Sequence, residues 1–554
     1  MKTLCKILAV VLLTMSLAPL CACSSEKTDT IELNVYSWED YISDYNEEDG
    51  TEDLIGDFED YASEVLGKKV KVNYSTFGTN ENMYNELQLS KTKHNKNGEV
   101  YYTYNYDLVC PSDYMIQKMI QDGMVEEFDY TDGNYTKMSN YSDYASPYIK
   151  DLFNTYGWEK YAVCYMWGTM GYVYNPDIIN SEDAEHWSLL WNDEYKNLGT
   201  IKDSVRDSYA LAVGYVYSDE LYSANPDTLT LNNMYADGVI SSKCYQELLI
   251  KIFNNVDSDL VTEFRNIYNE DHKVTSEKAD GDKLSAEALD DLEQLFGGVK
   301  EKTVDAAGIA LKTVKDKIYG YEVDSGKKDM ASGKIAINFA WSGDAVYTLD
   351  LADEAGTTLY YSVPKEGSNI WFDGWVMPKG ANKDLAQMFI DYISRPSSAI
   401  SNMIYIGYTS PIGGQDVFDW IGDYYELDTE PGEDLVAADL SYFFPGVENA
   451  LYYIPKEDEG RQFSTQYPTQ DVISRCSLMT NFSNSELKTM NYMWTNVKIG
   501  NVPMWVLIGV PVAIILLAAA IVAIHYMKKK GIKIRFKAKN YGKLVSSREI
   551  TFTK

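Results

Sequence analysis

Apolar and polar residues alternate with two different periods along the first part of the chain. Alternation at every second residue predicts a first β-strand at Ile31–Tyr36. The segments after it predict helices and strands in turn: a helix from Glu52 to Leu66, a strand from Lys69 to Tyr74, a helix starting near Asn80, a strand at Leu108-Val109, and a helix from Met115 to Asp122. Strands that alternate with helices predict an α/β fold around a mainly parallel sheet.

A later strand, predicted at Asn369–Trp375, carries the most unusual chemistry. Alternate residues of a strand share a face, so Trp371, Asp373 and Trp375 point one way and Phe372 the other. A lone buried carboxylate loses several kcal/mol of hydration, roughly what any unpaired buried ion loses. An arriving ammonium group offsets that loss by about 2 kcal/mol over an indole and by roughly 1.5–3 kcal/mol through a hydrogen bond to carboxylate. The stretch therefore favours a cation site. The alternative is that Asp373 caps a turn and both tryptophans belong to the core.

The first residues predict an export signal over residues 1–23. Lys2 and Lys6 precede an apolar run, Ile7–Leu13, that is too short to span a bilayer. The run leads to Leu20-Cys21-Ala22-Cys23, which resembles a bacterial lipobox and implies cleavage before Cys23 with lipid on its sulfur. Cys21 departs from that pattern, so ordinary signal cleavage is the alternative. Residues 24–30 would form a short polar tether.

The last residues predict a second membrane anchor. An almost unbroken apolar run begins at Val502, and we expect a transmembrane helix over residues 502–526. Trp505 and Tyr526 stand at its ends like interfacial anchors. Lysines and two arginines follow in residues 527–554, so this tail is expected to be cytoplasmic and the body outside the cell. A buried core helix is the alternative.

Composition narrows the classes of function. The chain has 554 residues, which favours two or more globular units, and its 83 Asp and Glu against 49 Lys and Arg give a net charge of −34. Nucleic acid requires a basic face, so this charge disfavours it as a partner. With 46 Tyr and 11 Trp, flat amphipathic side chains are abundant.

Cysteine and histidine offer little for metal or redox chemistry. Of the seven cysteines, three lie in the leader, and the others show no close pairs: Cys110, Cys164, Cys244 and Cys476. With four His in the chain, a His-based metal site is not expected either. We expect buried free thiols, with one disulfide possible, and no cofactor.

A series of short motifs follows the order found in one known family. They are Val35–Tyr41, Asn80–Tyr84, Tyr106–Val109, Pro111–Tyr114, Met166–Thr169, Trp187–Trp191, Ala340–Asp344, Trp371–Asp373 and Gly407–Pro411. From Ile31 to about Lys498 the chain resembles the spermidine/putrescine-type extracellular solute-binding proteins of ABC importers. Residues from Tyr215 to about Val304 are longer and more charged than in that family, and they predict solvated helices and loops.

The resemblance implies a two-lobed, periplasmic-binding-protein-like (type II) fold with a hinge and a ligand cleft between the lobes. Residues 31–160 and 372–417 would form lobe 1, and residues 161–371 and 418–498 would form lobe 2. It also implies a ligand site formed by Trp38, Asp40, Tyr41, Ser112, Tyr114, Asp207, Trp341, Asp344, Trp371 and Asp373.

Roles within this implied site follow from the family. Trp341 and Trp371 would sandwich the alkyl chain of the ligand, and Asp373 would hold an ammonium group. The other members would add an aromatic wall, further carboxylates and two hydroxyl groups. Ser204 stands where spermidine-preferring members have Asp, which leans toward a diamine. An acid also follows three of the tryptophans closely, as cation recognition would require.

The expected function is therefore the capture of extracellular polyamine, putrescine and/or spermidine, and its delivery to an ABC permease driven by its ATPase. A membrane-tethered sensor or binding protein for another small cationic solute is the alternative. An enzyme is disfavoured because the chain has no P-loop, no Gly-x-Ser-x-Gly and no His-Glu-x-x-His motif.

Overall fold

The computed structural model describes residues 30–47, 50–256, 260–271, 283–297 and 302–499, with scattered positions between 512 and 550. The predicted signal peptide with Cys23 lies outside the described residues, as do the tether up to residue 29 and most of residues 502–526 and 527–554. Among the residues that are described, no helix is both long and apolar enough to cross a membrane. The chain forms two units, one up to Asn491 and one from Tyr492.

The strands are β1 (Ile31–Trp38), β2 (Val70–Phe77), β3 (Thr92–Lys96), β4 (Glu99–Thr103), β5 (Leu108–Val109), β6 (Tyr130–Thr131), β7 (Asn134–Tyr135), β8 (Ala162–Tyr174), β9 (Gly199–Lys202), β10 (Gly320–Glu322), β11 (Ile337–Trp341), β12 (Tyr360–Ser362), β13 (Ser368–Val376), β14 (Leu435–Asp439), β15 (Leu451–Pro455), β16 (Cys476–Ser477), β17 (Ile534–Arg535) and β18 (Glu549–Ile550). The predicted β1, β5 and β13 are confirmed, and β2 starts within a residue of the expected position.

The α-helices are α1 (Leu54–Leu66), α2 (Asn80–Ser90), α3 (Asp113–Gln121), α4 (Ser139–Tyr144), α5 (Pro147–Thr155), α6 (Ser181–Ala184), α7 (Val205–Val216), α8 (Ser218–Leu221), α9 (Leu231–Ala236), α10 (Ser242–Asn254), α11 (Leu260–Asp271), α12 (Lys283–Phe296), α13 (Thr303–Lys315), α14 (Ser325–Ala331), α15 (Ser342–Glu354), α16 (Lys383–Ile393), α17 (Pro396–Ile406), α18 (Gln415–Tyr424), α19 (Gln462–Gln466), α20 (Gln470–Ser474) and α21 (Asn484–Ile499). Short 3₁₀ helices lie at Trp187–Trp191, Asp193–Tyr195 and Lys456–Asp458.

One ten-stranded sheet organises the body. Its order is β10-β9-β11-β8-β13-β5-β1-β2, with β12 beside β8 and β16 beside β13. Pairing is parallel toward both edges, between β1 and its neighbours β2 and β5 and between β9 and its neighbours β10 and β11. The α/β class is confirmed. The expectation of a mainly parallel sheet is wrong at the centre, where β8 runs antiparallel to β11, β12 and β13.

Strand β8 is shared by both halves of this sheet. Its first part, up to Thr169, pairs with β13, and its last part, from Met170, pairs with β11. All of its residues are buried. Such uniform burial is typical of strands covered on both faces. A continuous apolar run of this kind contains no signal of strand direction, which is why the sequence pattern missed the antiparallel centre.

A β-bulge interrupts the pairing of β8 with β13. Asp373 is opposite Met166 and Gly374 is opposite Cys164, which leaves Tyr165 as the extra residue on β8. Bulges re-aim side chains near functional sites. Here the Tyr165 hydroxyl donates to the backbone carbonyl of Tyr41 at 2.9 Å and ties the bulge to the loop after β1.

The described residues of the charged region between Tyr215 and Val304 form mainly helices, as expected, but these helices are not solvated on every side. Helix α10 buries Leu248, Leu249 and Ile252. The rings of Phe264 and Phe296 lie 4.4 Å apart between α11 and α12. These helices are amphipathic, although their many charged residues suggested solvated surface helices. Their apolar faces pack together into a small additional core.

The cysteines outside the leader are all buried free thiols: Cys110, Cys164, Cys244 and Cys476.

Candidate functional site

A row of aromatic rings follows one face of β13. The ring of Trp371 lies 5.2 Å from that of Tyr408, which lies 5.9 Å from Tyr41. Tyr41 is 5.6 Å from Tyr165, and Tyr165 is 5.1 Å from Trp375. The prediction that Trp371 and Trp375 share a face is confirmed by this common row. Its middle consists of three tyrosines from other elements: Tyr41, which the family resemblance implied for the site, and Tyr165 and Tyr408, which were not named for it.

The opposite face of β13 belongs to the core. Phe372 is fully buried, and its ring lies 5.7 Å from that of Phe153 on α5. On the side of the aromatic row, Trp375 is a core residue as well, with an exposed fraction of 1%. The strand thus presents aromatic and acidic groups to one side and anchors itself through the other.

Asp373 is the acidic centre of the row. The Tyr41 hydroxyl donates to its Oδ2 at 2.7 Å, and Ser112 forms a β-bridge with Asp373. The carboxylate has an exposed fraction of only 7%. Burial raises the pKa of Asp373 to about 6, although hydrogen bonds from Ser112 and Tyr41 oppose the rise. None of the ion pairs among the described residues includes Asp373.

A second buried acid stands next to the first. The backbone N–H of Tyr114 donates to Asp113 Oδ1 at 2.6 Å, whereas Asp113 Oδ2 is buried without a hydrogen-bond partner in the described part of the chain. Burial, with a contribution from the charge of Asp373, raises the pKa of Asp113 to about 8. Sequence reasoning missed Asp113, although it stands between the two selected residues Ser112 and Tyr114. At neutral pH Asp113 is therefore mostly protonated, and Asp373 carries the negative charge of this pair.

Asn80 fixes the position of Ser112. The Asn80 side-chain amide donates to Ser112 Oγ at 3.0 Å and accepts from the Ser112 backbone N–H at 3.0 Å. Asn80 opens α2, whose N-terminus is capped by Thr79. The Asn80–Tyr84 motif was recognised in the sequence, but the role of Asn80 as a support for Ser112 comes from the structure.

Gly168 permits the close packing of Trp371 against β8. The indole N–H of Trp371 donates to the Thr169 carbonyl at 3.3 Å. A Cβ atom at Gly168 would lie 2.7 Å from the Trp371 ring and would also collide with the Ser342 hydroxyl. The glycine of the Met166–Thr169 motif therefore serves a steric purpose, because any side chain would push the indole away from the row.

The predicted site residues Asp344 and Trp341 lie at the far side of Tyr408. The Tyr408 hydroxyl donates to Asp344 Oδ1 at 3.1 Å. Lys202 Nζ lies 3.3 Å from Asp344 Oδ2 and 4.4 Å from the centroid of the Trp341 ring. Lys327 Nζ lies 3.4 Å from Asp344 Oδ1. The structure thus brings both residues close to the aromatic row, where cations of the chain itself already contact them.

Tyr114 and Asp207 both neighbour Arg206: the Tyr114 ring lies under its guanidinium, and Asp207 is the next residue in the chain. The Arg206 guanidinium lies 3.8 Å above the Tyr114 ring, and the Tyr114 hydroxyl donates to Glu81 at 3.2 Å. Asp207 is buried in the first turn of α7, where its backbone N–H bonds to Ser204 at 3.4 Å. Burial raises the pKa of Asp207. Ser204 is thus a helix cap.

Trp38 and Asp40 lie at the end of β1. The ring of Trp38 is 4.5 Å from that of Phe77, and its indole nitrogen is buried without a partner among the described residues. Asp40 is exposed, in the left-handed region with φ of 51°. Their contacts in the described part of the chain do not include the Asp373 group, so these two stand apart from the other predicted site residues.

Comparison with known proteins gives a family and several relatives. Residues 58–414 match the model of the family described as bacterial extracellular solute-binding protein. The chain is 23% identical over 389 residues to a spermidine/putrescine-binding periplasmic protein of Salmonella typhimurium, covering 70% of this chain and 80% of that protein. It is 24% identical over 372 residues to a putrescine-binding periplasmic protein of Escherichia coli, covering 66% and 73%.

Among solved structures, a spermidine/putrescine ABC transporter substrate-binding protein from Streptococcus pneumoniae matches with a TM-score of 0.48 at 23% identity, covering 85% of this chain and 99% of that one. The family match, for its part, spans well over half of the present sequence. This chain belongs to the bacterial extracellular solute-binding proteins.

Proposed function

We propose that this protein captures extracellular polyamine, putrescine and/or spermidine, and delivers it to an ABC permease and its ATPase. The observation that carries the proposal is Asp373, a buried carboxylate on an aromatic row with no cation paired to it among the described residues. A ligand ammonium would supply the missing charge. The Tyr41 and Ser112 hydroxyls would hold the carboxylate in place, and Trp371 and Tyr408 would cover the methylenes.

The relatives support the same class of ligand. Those from Salmonella typhimurium and Escherichia coli are named for binding spermidine and putrescine, or putrescine. Ammonium groups donate hydrogen bonds and accept none, so carboxylates suit them. Aromatic faces add cation–π attraction, about 2 kcal/mol when water is excluded.

We further propose two lobes around this site. Residues 31–160 and 372–417 would form one, and residues 161–371 and 418–498 the other. Strand β13 supports this division because it crosses the proposed boundary between residues 371 and 372, and β8 begins directly after the boundary between residues 160 and 161. Closure of such lobes about a hinge excludes water from a ligand.

The cellular setting is also a proposal. An export signal that ends in a lipid-modified Cys23 and a transmembrane helix over residues 502–526 would tether the body outside the cell, with residues 527–554 in the cytoplasm. The apolar run and the basic residues after it support this orientation. A tethered binding protein would remain close to its permease.

Calorimetric titration of the purified full-length chain tests the ligand class. At least one of putrescine and spermidine should release or absorb measurable heat and saturate one site. Sodium chloride at the same ionic strength is the matched control, since screening alone should give no saturable signal. If neither amine binds, polyamine capture is rejected.

A further inference from the structure

Lys202 is a buried cation close to the proposed ligand site. Its side chain has an exposed fraction of 2%, and its Nζ is bound on several sides. Glu322 Oε1 lies 3.0 Å away, Asp344 Oδ2 3.3 Å, and the Val323 carbonyl accepts at 2.9 Å. The Trp341 ring lies 4.4 Å from the same nitrogen. An ammonium held by carboxylates over an indole is the arrangement that a polyamine end would require.

The charges of the two buried acids in this cluster are already balanced, and the largely exposed Asp324 lies farther out, 4.0 Å from Lys327 Nζ. Glu322 and Asp344 contribute two negative charges, and Lys202 and Lys327 contribute two positive charges within 4 Å of them. The contrast is with Asp373, whose carboxylate enters no ion pair among the described residues. A ligand ammonium therefore has an electrostatic reason to go to Asp373. At the Asp344 end it would have to compete with a cation of the chain.

Lys202 is not alone on its segment. Four residues later, Arg206 lies over the ring of Tyr114 at 3.8 Å, at another position predicted to contact ligand. Lys202 ends β9 and Arg206 lies in the first turn of α7, with the Ser204 cap between them. One short connection thus brings basic groups to two of the aromatic residues expected to face an amine.

We propose that Lys202 is a specificity-determining residue. Its ammonium group occupies the second cation position, beside Trp341 and Asp344, in place of a ligand ammonium. The inference rests on the proposed function and deepens it. The wild-type site then takes one ligand ammonium, at Asp373, and gains little from a second one at the Lys202 end. The site therefore favours short amines over longer amines whose two ammonium groups would need carboxylates at both Asp373 and Asp344.

The test compares Lys202→Met with wild type in calorimetric titrations of the full-length chain. The ligands are n-butylamine, with one ammonium group, and whichever of putrescine and spermidine the wild type binds more tightly. Removal of the lysine frees the Trp341 ring and Asp344 Oδ2 for the ligand, while Lys327 stays at Asp344 Oδ1 and Glu322 keeps its negative charge. The affinity ratio of polyamine to n-butylamine should rise by about tenfold or more, the value of one added charge-assisted hydrogen bond.

Lys334→Met is the matched control. Lys334 also pairs with an acid, Asp329 at 2.9 Å, and lies over an aromatic ring, Tyr319 at 5.1 Å. It has no contact with Asp344 among the ion pairs of the described residues. Its loss removes the same charge and should leave the affinity ratio unchanged.

A second variant protects the test against loss of folding. Lys202→Met leaves Glu322 without its lysine, so Lys202→Gln, whose uncharged amide can still donate to Glu322, is titrated beside it, with thermal unfolding to confirm that each chain folds. If both variants fail to fold whereas Lys334→Met folds, the lysine is a fixed structural counter-ion and the assignment is overturned.

The remaining outcomes separate this inference from the proposed function. An unchanged ratio in folded variants that still bind amines overturns the role of Lys202 and leaves polyamine capture intact. Absence of binding by the wild type to both classes of amine rejects polyamine capture, and the inference with it. A purely structural lysine would change affinity for both amines equally, so only the ratio reports on ligand charge.

Discussion

Substitution of Asp373 by asparagine should make the unliganded chain more stable and the ligand complex weaker. Asparagine has nearly the same shape, and its side-chain oxygen can still accept from the Tyr41 hydroxyl, which now donates to Asp373 Oδ2 at 2.7 Å. The change therefore removes a charge and little else. Opposite effects on folding and on binding are the signature of a buried charge retained for a ligand.

The gain in stability follows from the pKa of Asp373. Burial raises it from the ordinary value of 3.8 to about 6. At about 1.4 kcal/mol for each pKa unit, the folded chain disfavours the ionised form by about 3 kcal/mol. The folded chain holds this proton more tightly than the unfolded chain, so the free energy of unfolding falls as the pH rises from about 4 to about 6. Above that window, Asp373→Asn should recover about 1–3 kcal/mol, since the amide has its own smaller desolvation cost.

The loss in binding has a similar size. A hydrogen bond between an ammonium group and a carboxylate contributes about 1.5–3 kcal/mol, so its removal should weaken putrescine or spermidine binding by roughly ten- to a hundredfold. The aromatic contacts of Trp371 and Tyr408 would remain. Some residual affinity is therefore expected.

Two measurements at pH 5 and pH 8 check this prediction on the full-length chain: denaturant unfolding without ligand, and calorimetric titration. Asp391→Asn is the matched control, because burial also raises the pKa of Asp391, which binds Asn140 away from the aromatic row. It should leave ligand affinity unchanged. If Asp373→Asn lowers stability at pH 8, or binds polyamine as the wild type does, the account of Asp373 as an uncompensated charge is wrong.

Further predictions concern the same group. Because Asp373 must be ionised to hold an ammonium, and its pKa is raised to about 6, affinity should fall about tenfold from pH 7.5 to pH 5. Calorimetry checks this, and an equal fall in Asp373→Asn would contradict it. Tyr41→Phe removes the hydroxyl that lowers the pKa of Asp373, so a carboxyl NMR titration should move to higher pH, and an unmoved titration would exclude that hydrogen bond. Gly168→Ala places a Cβ 2.7 Å from the Trp371 ring and should cost about 1–3 kcal/mol of unfolding free energy. Gly320→Ala, with nothing within 4 Å, is its control, and equal losses in denaturant unfolding would refute the packing argument.

Local periodicity was sufficient to predict several of the strands and helices and to predict which side chains share one face of the site. The alternation at Asn369–Trp375 predicted both the strand and the common side of Trp371 and Trp375, because side-chain direction in a strand depends only on residue spacing. The tyrosines between them could not be predicted in the same way. Tyr165 owes its direction to a bulge, and Tyr408 follows a helix C-cap at Gly407, so both depend on tertiary register.

The pairs of tryptophan and aspartate show why sequence proximity was not enough. Each pair looked alike as a cation site, but the three differ in what surrounds the acid. Asp40 is exposed, so water compensates its charge. Asp344 is buried and compensated by Lys202 and Lys327, which lie on other elements of the fold and outside its own motif.

Asp373 differs from the other two because it is buried and its neighbours are hydroxyl groups and aromatic rings. The Tyr41 hydroxyl stabilises the carboxylate, but a neutral donor cannot replace a full counter-charge, and its pKa accordingly remains raised to about 6. An acid in that state is unfavourable for the empty protein. The free energy it loses on folding becomes available to a cation from outside, so the selectivity of the site for charge follows from the incomplete compensation of this single residue.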